Sequence, residues 1–504
     1  MQSSNKRIAR NTLMLYIRTF VMMPVSLYTS RIILEVLGEN DFGVYNVVGG
    51  FIALLSFINS AMTKATQRFL NVELGKGNHD RVSRVYSMSL LIHFAIAVFI
   101  GFVLETVGLY FFETKLNIPP ETQDAARIVY HISVVTACLH FIRIPDESSI
   151  IAYERMSFFA YVSIIEVMAK LGTVFLLFWA EDNRLVLYAV ALMTVGILLN
   201  IIYAIYCKRN FTTCRFRFYF DIKLLKEMLF FSSWSLFGGI AHVASIQGIS
   251  ILLNIFFTVA VNAAMGVASQ VFSAVNTLVT NFQKAVQSYF SGDKSRFLEL
   301  VFRSSKLSYF LLFFVAYPLI LICRPVVELW LVCVPQYTVQ FIQLYLIFLL
   351  IDALSGSLWV SSETIGNIAK YQFTVSSMII MNIPIIYVLF KFGCSPVYAV
   401  IVRIAINFIT HCYRIFYLKH KVNFPVRRYV VEVMFRCLWV SVCIIPVPFF
   451  LHKFLTSSWG SHILVVLTSL IISGLVIYKF GLDAKERGFV ISTVANKFMF
   501  LKKQ

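Results

Sequence analysis

Fourteen runs of about twenty mostly apolar residues fill nearly the whole chain, and a helix needs about 20 such residues to cross about 30 Å of hydrocarbon. The runs fall at 11–33, 42–63, 85–112, 125–145, 157–179, 185–207, 228–257, 262–287, 306–330, 339–362, 371–392, 397–418, 432–452 and 461–480. Short polar breaks separate them, such as Gly38-Glu39-Asn40-Asp41, Glu181-Asp182-Asn183 and Gly393-Cys394-Ser395-Pro396. The pattern predicts an all-α integral membrane protein of about fourteen transmembrane helices. Composition agrees: 59% of residues are hydrophobic and 14% charged, against about 45–50% and about 25% in soluble domains. A water-soluble enzyme, a disordered chain and a secreted disulfide scaffold are excluded.

The N-terminus carries Lys6, Arg7 and Arg10 before an apolar run from Leu13 to Ile33. That run contains Arg18 and Pro24, and no Ala-x-Ala site follows, so it reads as an uncleaved first helix rather than a signal peptide. The nine cysteines form no Cys-x-x-Cys pair and lie mostly in apolar runs, as Cys138, Cys323, Cys437 and Cys443 do. They read as small buried side chains. No metal site and no cofactor is expected.

Lys and Arg total 44 against 25 Asp and Glu, a formal +19. The surplus alternates from loop to loop. Glu35–Asp41 and Val332–Thr338 carry no cation, and Glu113–Asp124 carries only Lys115. Basic residues gather after helix 2 (Lys64, Arg68, Lys76, Arg81, Arg84), after helix 6 (Lys208 to Lys226), after helix 8 (Lys294 to Lys306), after helix 12 (Lys419 to Arg428) and in the tail. Positive residues favour the cytoplasmic side, so both termini are expected there. This accounts for most of the charge without nucleic acid. No extramembrane stretch exceeds roughly twenty residues, which leaves no room for a soluble catalytic domain.

Helix 2 ends Lys64-Ala65-Thr66-Gln67-Arg68-Phe69 and helix 8 ends Lys284-Ala285-Val286-Gln287-Ser288-Tyr289. The two copies stand six helices apart, an even shift, which implies parallel repeats about an axis along the membrane normal. The expected organisation is an N-lobe at 1–207 (helices 1–6), a cytoplasmic linker at 208–227 and a C-lobe at 228–418 (helices 7–12). Residues 419–504 would supply helices 13 and 14 and a basic cytoplasmic tail.

Ionisable residues inside spans cost about 2.5–3.5 kcal/mol at the centre on insertion scales, so they mark candidate function. Arg18 lies two turns into helix 1, Arg31 near its outer end, Glu166 and Lys170 mid-helix 5, Asp352 mid-helix 10 and Arg403 in helix 12. Helices 3 and 4 add His93, Glu105, His131, His140 and Arg143. Arg31, Arg143 and Lys284 also read as cations snorkelling to an interface. Glu166–Lys170 also reads as a self-neutralised pair, and the histidines as hydrogen-bonded interior residues. The cationic excess, Arg18, Arg31, Lys170, Lys284 and Arg403, suits a phosphate-bearing cargo, because Arg grips phosphate oxygens bidentately. Glu166 and Asp352 are the candidate ion-coupling acids. Pro24, Gly49-Gly50, Gly238-Gly239, Pro318 and Pro384 fall within spans as candidate hinges.

The first hairpin reads Leu37-Gly38-Glu39-Asn40-Asp41-Phe42-Gly43-Val44-Tyr45. This stretch resembles the polysaccharide-transport branch of the multidrug/oligosaccharidyl-lipid/polysaccharide flippase superfamily. The resemblance continues at Ile151–Phe158, at Asn254–Phe257 with Asn262-Ala263-Ala264, and at Phe302–Lys306. It looks most like the O-antigen flippases of Bacteroides-type bacteria. It departs from the family's pattern at Met265, where relatives often carry Arg, and in a shorter end to helix 8.

The resemblance implies a two-lobed exporter in the bacterial inner membrane with a central cationic cavity, to which Arg18 and Arg31 would belong. Its implied cargo is an undecaprenyl-pyrophosphate-linked oligosaccharide, moved to the periplasmic leaflet by ion-coupled alternating access. The implied partners are that lipid-linked oligosaccharide, the lipid bilayer and the polysaccharide polymerase machinery. A multidrug exporter of the same superfamily would need an anionic cavity for organic cations, against the arginine surplus. A polytopic glycosyltransferase would need a sizeable outer loop or an Asp-x-Asp metal site, and neither is present. A non-transporting scaffold needs no special residue and is separated only by experiment.

Overall fold

Apolar runs in hydrocarbon must satisfy their backbone polar groups internally, and helices do so. A computed structural model describes residues 2–53, 56–116, 118–180, 183–287, 294–365, 368–455, 458–484 and 486–487. They form helices with short connections and, among the described residues, no strand. Among the described residues, thirteen helices are long and apolar enough to cross a membrane. Twelve of them correspond one-to-one with the third to fourteenth runs. The remaining one, Val21–Gly50, takes in parts of the first two runs. Its interruption sits at Gly38, whose φ of 76° and ψ of 177° are non-helical. The first hairpin was expected at this glycine, and a side chain there would be strained.

The chain divides into two compact units. The first comprises Met1–Gln270, Glu328–Thr338 and Gln372–Ala399. It holds α1 (Gln2–Ala53), α2 (Ser56–Gly75), α3 (His79–Val103), α4 (Leu109–Lys115), α5 (Gln123–Ala152), α6 (Met156–Leu176), α7 (Arg184–Asn210) and α8 (Ile222–Phe256). One of its cores joins Leu70, Val85, Ile150, Val162, Leu199 and Tyr203. A π-turn at Leu104–Gly108 links α3 to α4, and the Tyr130 hydroxyl donates to the Leu104 carbonyl at 2.6 Å. The basic segment after α7 is anchored rather than loose: Phe211 and Cys214 are buried, and Tyr153 stacks on Phe211 at 4.1 Å. Asp221 caps α8, accepting from the Lys223 and Leu224 N–H groups, which hold its carboxyl below the ordinary value.

The second unit comprises Val271–Val327, Val339–Tyr371 and Val400–Gln504. The helix α9 (Val259–Gln287) therefore begins in the first unit and ends in the second. The second unit includes α10 (Lys294–Leu321), and most of α12 (Thr338–Ile365) and α15 (Tyr398–Val422). Between them in sequence lie α11 (Cys323–Trp330), α13 (Ile368–Ile380) and α14 (Asn382–Lys391). After α15 come α16 (Val426–Tyr429), α17 (Arg436–Ile444), α18 (Pro446–Phe454) and α19 (Trp459–Val476). Its core gathers Phe302, Phe313, Leu358, Leu418, Tyr429 and Val440. Pro384 explains the break between α13 and α14: it has no N–H for the Ile380 carbonyl and its ring crowds that group.

Exposed side chains along the spans are large and apolar, among them Phe99, Phe102, Leu438, Leu467 and Ile471. Such a surface matches hydrocarbon, not water. Each of the nine cysteines is free; Cys207, Cys214, Cys323 and Cys437 are buried, whereas Cys443 in α17 is exposed. The expectation of general cysteine burial is corrected there, because α17 turns that side of itself outward, and at Cys333, which is also exposed.

Candidate functional site

The first unit concentrates charge where α5 and α6 meet. On α5, His140, Arg143 and Glu147 follow at steps of three and four, which stacks them on one side of the helix. On α6, Glu166 and Lys170 are also four apart. Lys170 Nζ donates to Glu166 Oε1 at 2.7 Å. Arg143 bridges the two helices, with Nη1 4.0 Å from Glu166 Oε2 and Nε 3.9 Å from Glu147 Oε2. Its guanidinium also lies 5.4 Å from the centre of the Tyr203 ring on α7. His140 Nδ1 meets Asn59 Nδ2 of α2 at 3.1 Å. Arg18 comes from α1, with its guanidinium 4.6 Å from the Phe159 ring centre and its buried Nε without a hydrogen bond. It lies within electrostatic range of Glu147 and Tyr203.

Three cations and two carboxylates thus meet inside apolar helices, leaving one positive charge in excess. Arg143 is buried at 7% exposure. That rules out its alternative reading as a snorkelling cation: it is the centre of the cluster. The signal was present in the sequence, since Arg143 shares a helix face with His140 and Glu147. Glu147 is a residue that the sequence reading misses, because it lies two positions beyond the apolar run at 125–145. Arg18, Glu166 and Lys170 are brought together with it.

The other candidates lie elsewhere. Arg31 is partly buried and donates to the Leu329 carbonyl at 3.5 Å, beside Trp330 Nε1 bonded to the Leu27 carbonyl at 2.8 Å. Lys284, with the second copy of the Lys-Ala-x-Gln motif, lies outside the described side chains. In the second unit, Arg403 is buried at 4%, donates to Tyr345 Oη at 3.3 Å and faces three aromatic rings. Asp352 on α12 is half-buried, with no ion-pair partner among the described residues. His93 is an interior residue, its Nδ1 2.7 Å from the Ser89 carbonyl. His131 pairs with Glu105 at 2.8 Å. Among the described residues no group of three His, Cys, Asp or Glu could hold a metal ion.

Residues of the resemblance motifs make packing contacts. Phe42 is buried, Tyr45 meets Tyr188 edge-on at 5.1 Å, and Gly43 lies against the Val259 backbone. Asn262 accepts from Ser250 Oγ at 2.7 Å, and Ser304 accepts from Ser357 at 2.9 Å.

No curated protein matches the chain. Among solved structures it is similar to a lipid II flippase MurJ in an inward closed conformation: TM-score 0.71, 17% identity, covering 92% of this chain and 99% of the other. It is also similar to an inward-facing multidrug resistance MATE family transporter of the MOP superfamily, with TM-score 0.63, 12% identity, and coverage of 81% and 99%. A MOP superfamily transporter from Pyrococcus furiosus aligns with TM-score 0.56 at 12% identity, over 83% and 96%. At such identities the likeness is one of fold, an all-α multi-pass membrane architecture. The model of a family described as polysaccharide biosynthesis protein matches residues 8–292, more than half of the 504 residues, and the chain belongs to that family.

Proposed function

We propose that this protein is a flippase for an undecaprenyl-pyrophosphate-linked oligosaccharide, an O-antigen-like repeat unit, carried from the cytoplasmic to the periplasmic leaflet of a bacterial inner membrane. The observation that carries the reading is the cation-rich cluster of Arg18, Arg143 and Lys170 inside apolar helices of a polysaccharide biosynthesis family member. The fold likeness to a structure named as a lipid II flippase supports it. A pyrophosphate needs guanidinium forks to replace its hydration when it leaves water. The sugars need polar and aromatic partners, and the lipid tail stays in the bilayer.

In this reading residues 1–207 and 228–418 act as the two lobes, joined by 208–227, with both termini cytoplasmic. Arg31, Lys284 and Arg403 add to the cationic path. Glu166 couples transport to an ion. Paired with Lys170 and Arg143 it offsets one of their two charges; once protonated it frees Lys170 and leaves Arg143 with Glu147 alone, so one proton biases the equilibrium between states. Asp352 is the corresponding acid of the C-lobe. The polysaccharide polymerase machinery receives the product.

The test is the sidedness of lipid-linked oligosaccharide in inverted vesicles, at matched expression and with an imposed ion gradient. Protein-dependent movement into the lumen is the expected result, and Arg18→Ala should reduce it at least about tenfold, the loss of one or two charge-assisted hydrogen bonds. Unchanged sidedness with authentic cargo would overturn the flippase reading.

A further inference from the structure

The helix α15 carries its polar residues on one side. Arg403, Asn407, Thr410, His411 and Arg414 follow at steps of four, three, one and three, the rows that stack on one helix face. From Arg403 to Arg414 the rise is about 16 Å. All five are buried: Arg403 is 4% exposed, Asn407 8%, Thr410 1%, His411 1% and Arg414 8%. An arginine taken out of both water and lipid headgroups needs a counter-charge.

The described partners of these residues are neutral. Arg403 meets Tyr345 Oη and the rings of Phe272, Tyr345 and Phe348, the nearest centre at 4.7 Å. Arg414 Nε donates to Tyr371 Oη at 3.2 Å. His411 Nδ1 meets Ser355 Oγ at 2.8 Å, and the Thr410 hydroxyl bonds back to the Asn407 carbonyl at 2.8 Å. Among the described residues no carboxylate pairs with either arginine; Asp352, three residues before Ser355 on α12, pairs with neither. Between the arginines, Asn407 Nδ2 and His411 Nε2 are buried with no hydrogen-bond partner. The amide nitrogen can only donate, and the imidazole nitrogen donates in one tautomer. Two buried nitrogens without a hydrogen bond, between two cations that have no carboxylate partner among the described residues, describe a place for negative charge, since orphaned buried groups commonly mark a water or an ion.

We propose that the stretch of α15 between Arg403 and Arg414 binds a small inorganic anion of halide size at Asn407 and His411. Its charge balances the two guanidiniums, and its shell is completed by Asn407 Nδ2 and His411 Nε2–H. A halide fits better than a phosphate. Two free donors suffice for one compact monovalent ion, whereas a doubly charged oxyanion would leave most of its oxygens unpaired in a dry site. The inference concerns the second unit alone and does not depend on what the protein transports.

The test uses the purified full chain in detergent, with Tm read in sodium chloride and in sodium gluconate at equal ionic strength. Anything that binds the folded state stabilises it by mass action, so chloride should raise Tm saturably, and bromide should do the same. Asn407→Leu should weaken the apparent chloride affinity about tenfold or more. Asn407→Asp builds the negative charge into the protein. Its Tm in gluconate should match or exceed that of the wild type in chloride, and its chloride increment should vanish. Should Asn407→Leu fail to fold, Asn407→Asp decides. Equal Tm in the two salts, or a chloride increment kept in Asn407→Asp, overturns the proposal. Bromide-soaked crystals locate the site: an anomalous peak beside Asn407 and His411 supports it, and bromide bound only elsewhere overturns it. None of these readouts involves transport, so their failure is distinguishable from failure of the flippase reading.

Discussion

Arg143 shows how much one side chain can hold in place. It touches a carboxylate on its own helix, a second on α6 and an aromatic ring on α7. Removing it leaves Glu147 without its nearest cation and Glu166 with only Lys170. Breaking a buried charge network by deleting one partner costs about 3–5 kcal/mol, because the remaining charge stays desolvated. Arg143→Ala should lower Tm and reduce the proposed oligosaccharide flipping together. Arg143→Lys keeps the charge but loses the fork that spans two carboxylates, so it should recover most of the stability and less of the transport. Thermal melts of purified variants alongside vesicle assays check this. Full transport in a folded Arg143→Ala protein would remove the residue from the cationic path.

Among the elements, the first helical hairpin depends on glycines for two different reasons. Gly38 has a φ of 76°, where a side chain is strained by about 1–3 kcal/mol. Gly43 is helical, but a Cβ there would press into the backbone carbonyl of Val259 at the start of α9. That backbone cannot rotate away, so Gly43→Ala should destabilise by about 1–3 kcal/mol, the usual range for overpacking. Gly49, on the same helix, has open space around its missing Cβ. There Gly49→Ala should be neutral or stabilising by up to about 1 kcal/mol through helix propensity. Denaturation of the two variants side by side separates packing from propensity; equal effects would refute the close approach at Gly43.

For the molecule as a whole, the segment after α19 is tied back to α10. Lys306 is buried and lies 2.8 Å from Asp483 and 2.8 Å from Glu486; Arg436 also pairs with Asp483. Partial burial raises the Asp483 carboxyl, but its bonds to Lys306 and Arg436 outweigh this and hold it below the ordinary carboxylate range. A group depressed in the folded state adds stability above its unfolded pKa and loses it as pH falls through the folded value. The tether should therefore hold above about pH 4 and loosen below it. Hydrogen exchange across residues 477–487 reads the change. Lys306→Met should weaken this dependence, leaving Arg436 as the cation at Asp483, and cost about 3 kcal/mol, since Glu486 would stay buried without its cation. Exchange that is insensitive to pH in the wild type would sink the prediction.

Periodicity, loop charge and span length are local properties of the chain, so the all-helical membrane class, the span positions and the Gly38 interruption were legible in the sequence. The i,i+4 pairing of Glu166 with Lys170 was legible for the same reason. Whether an ionisable side chain near the end of a span reaches an interface or turns inward depends on its neighbours. Only the tertiary structure decided that Arg143 sits between Glu147 and Glu166, and that Lys306 is buried under residues nearly two hundred positions later. It also decided that α8 and the start of α9 belong to the first compact unit. Hydrocarbon selects helices from sequence alone, because each helix satisfies its own backbone. It cannot select which helices touch, because lipid is as apolar as the side chains it competes with, and that choice falls to shape, small residues and paired charges.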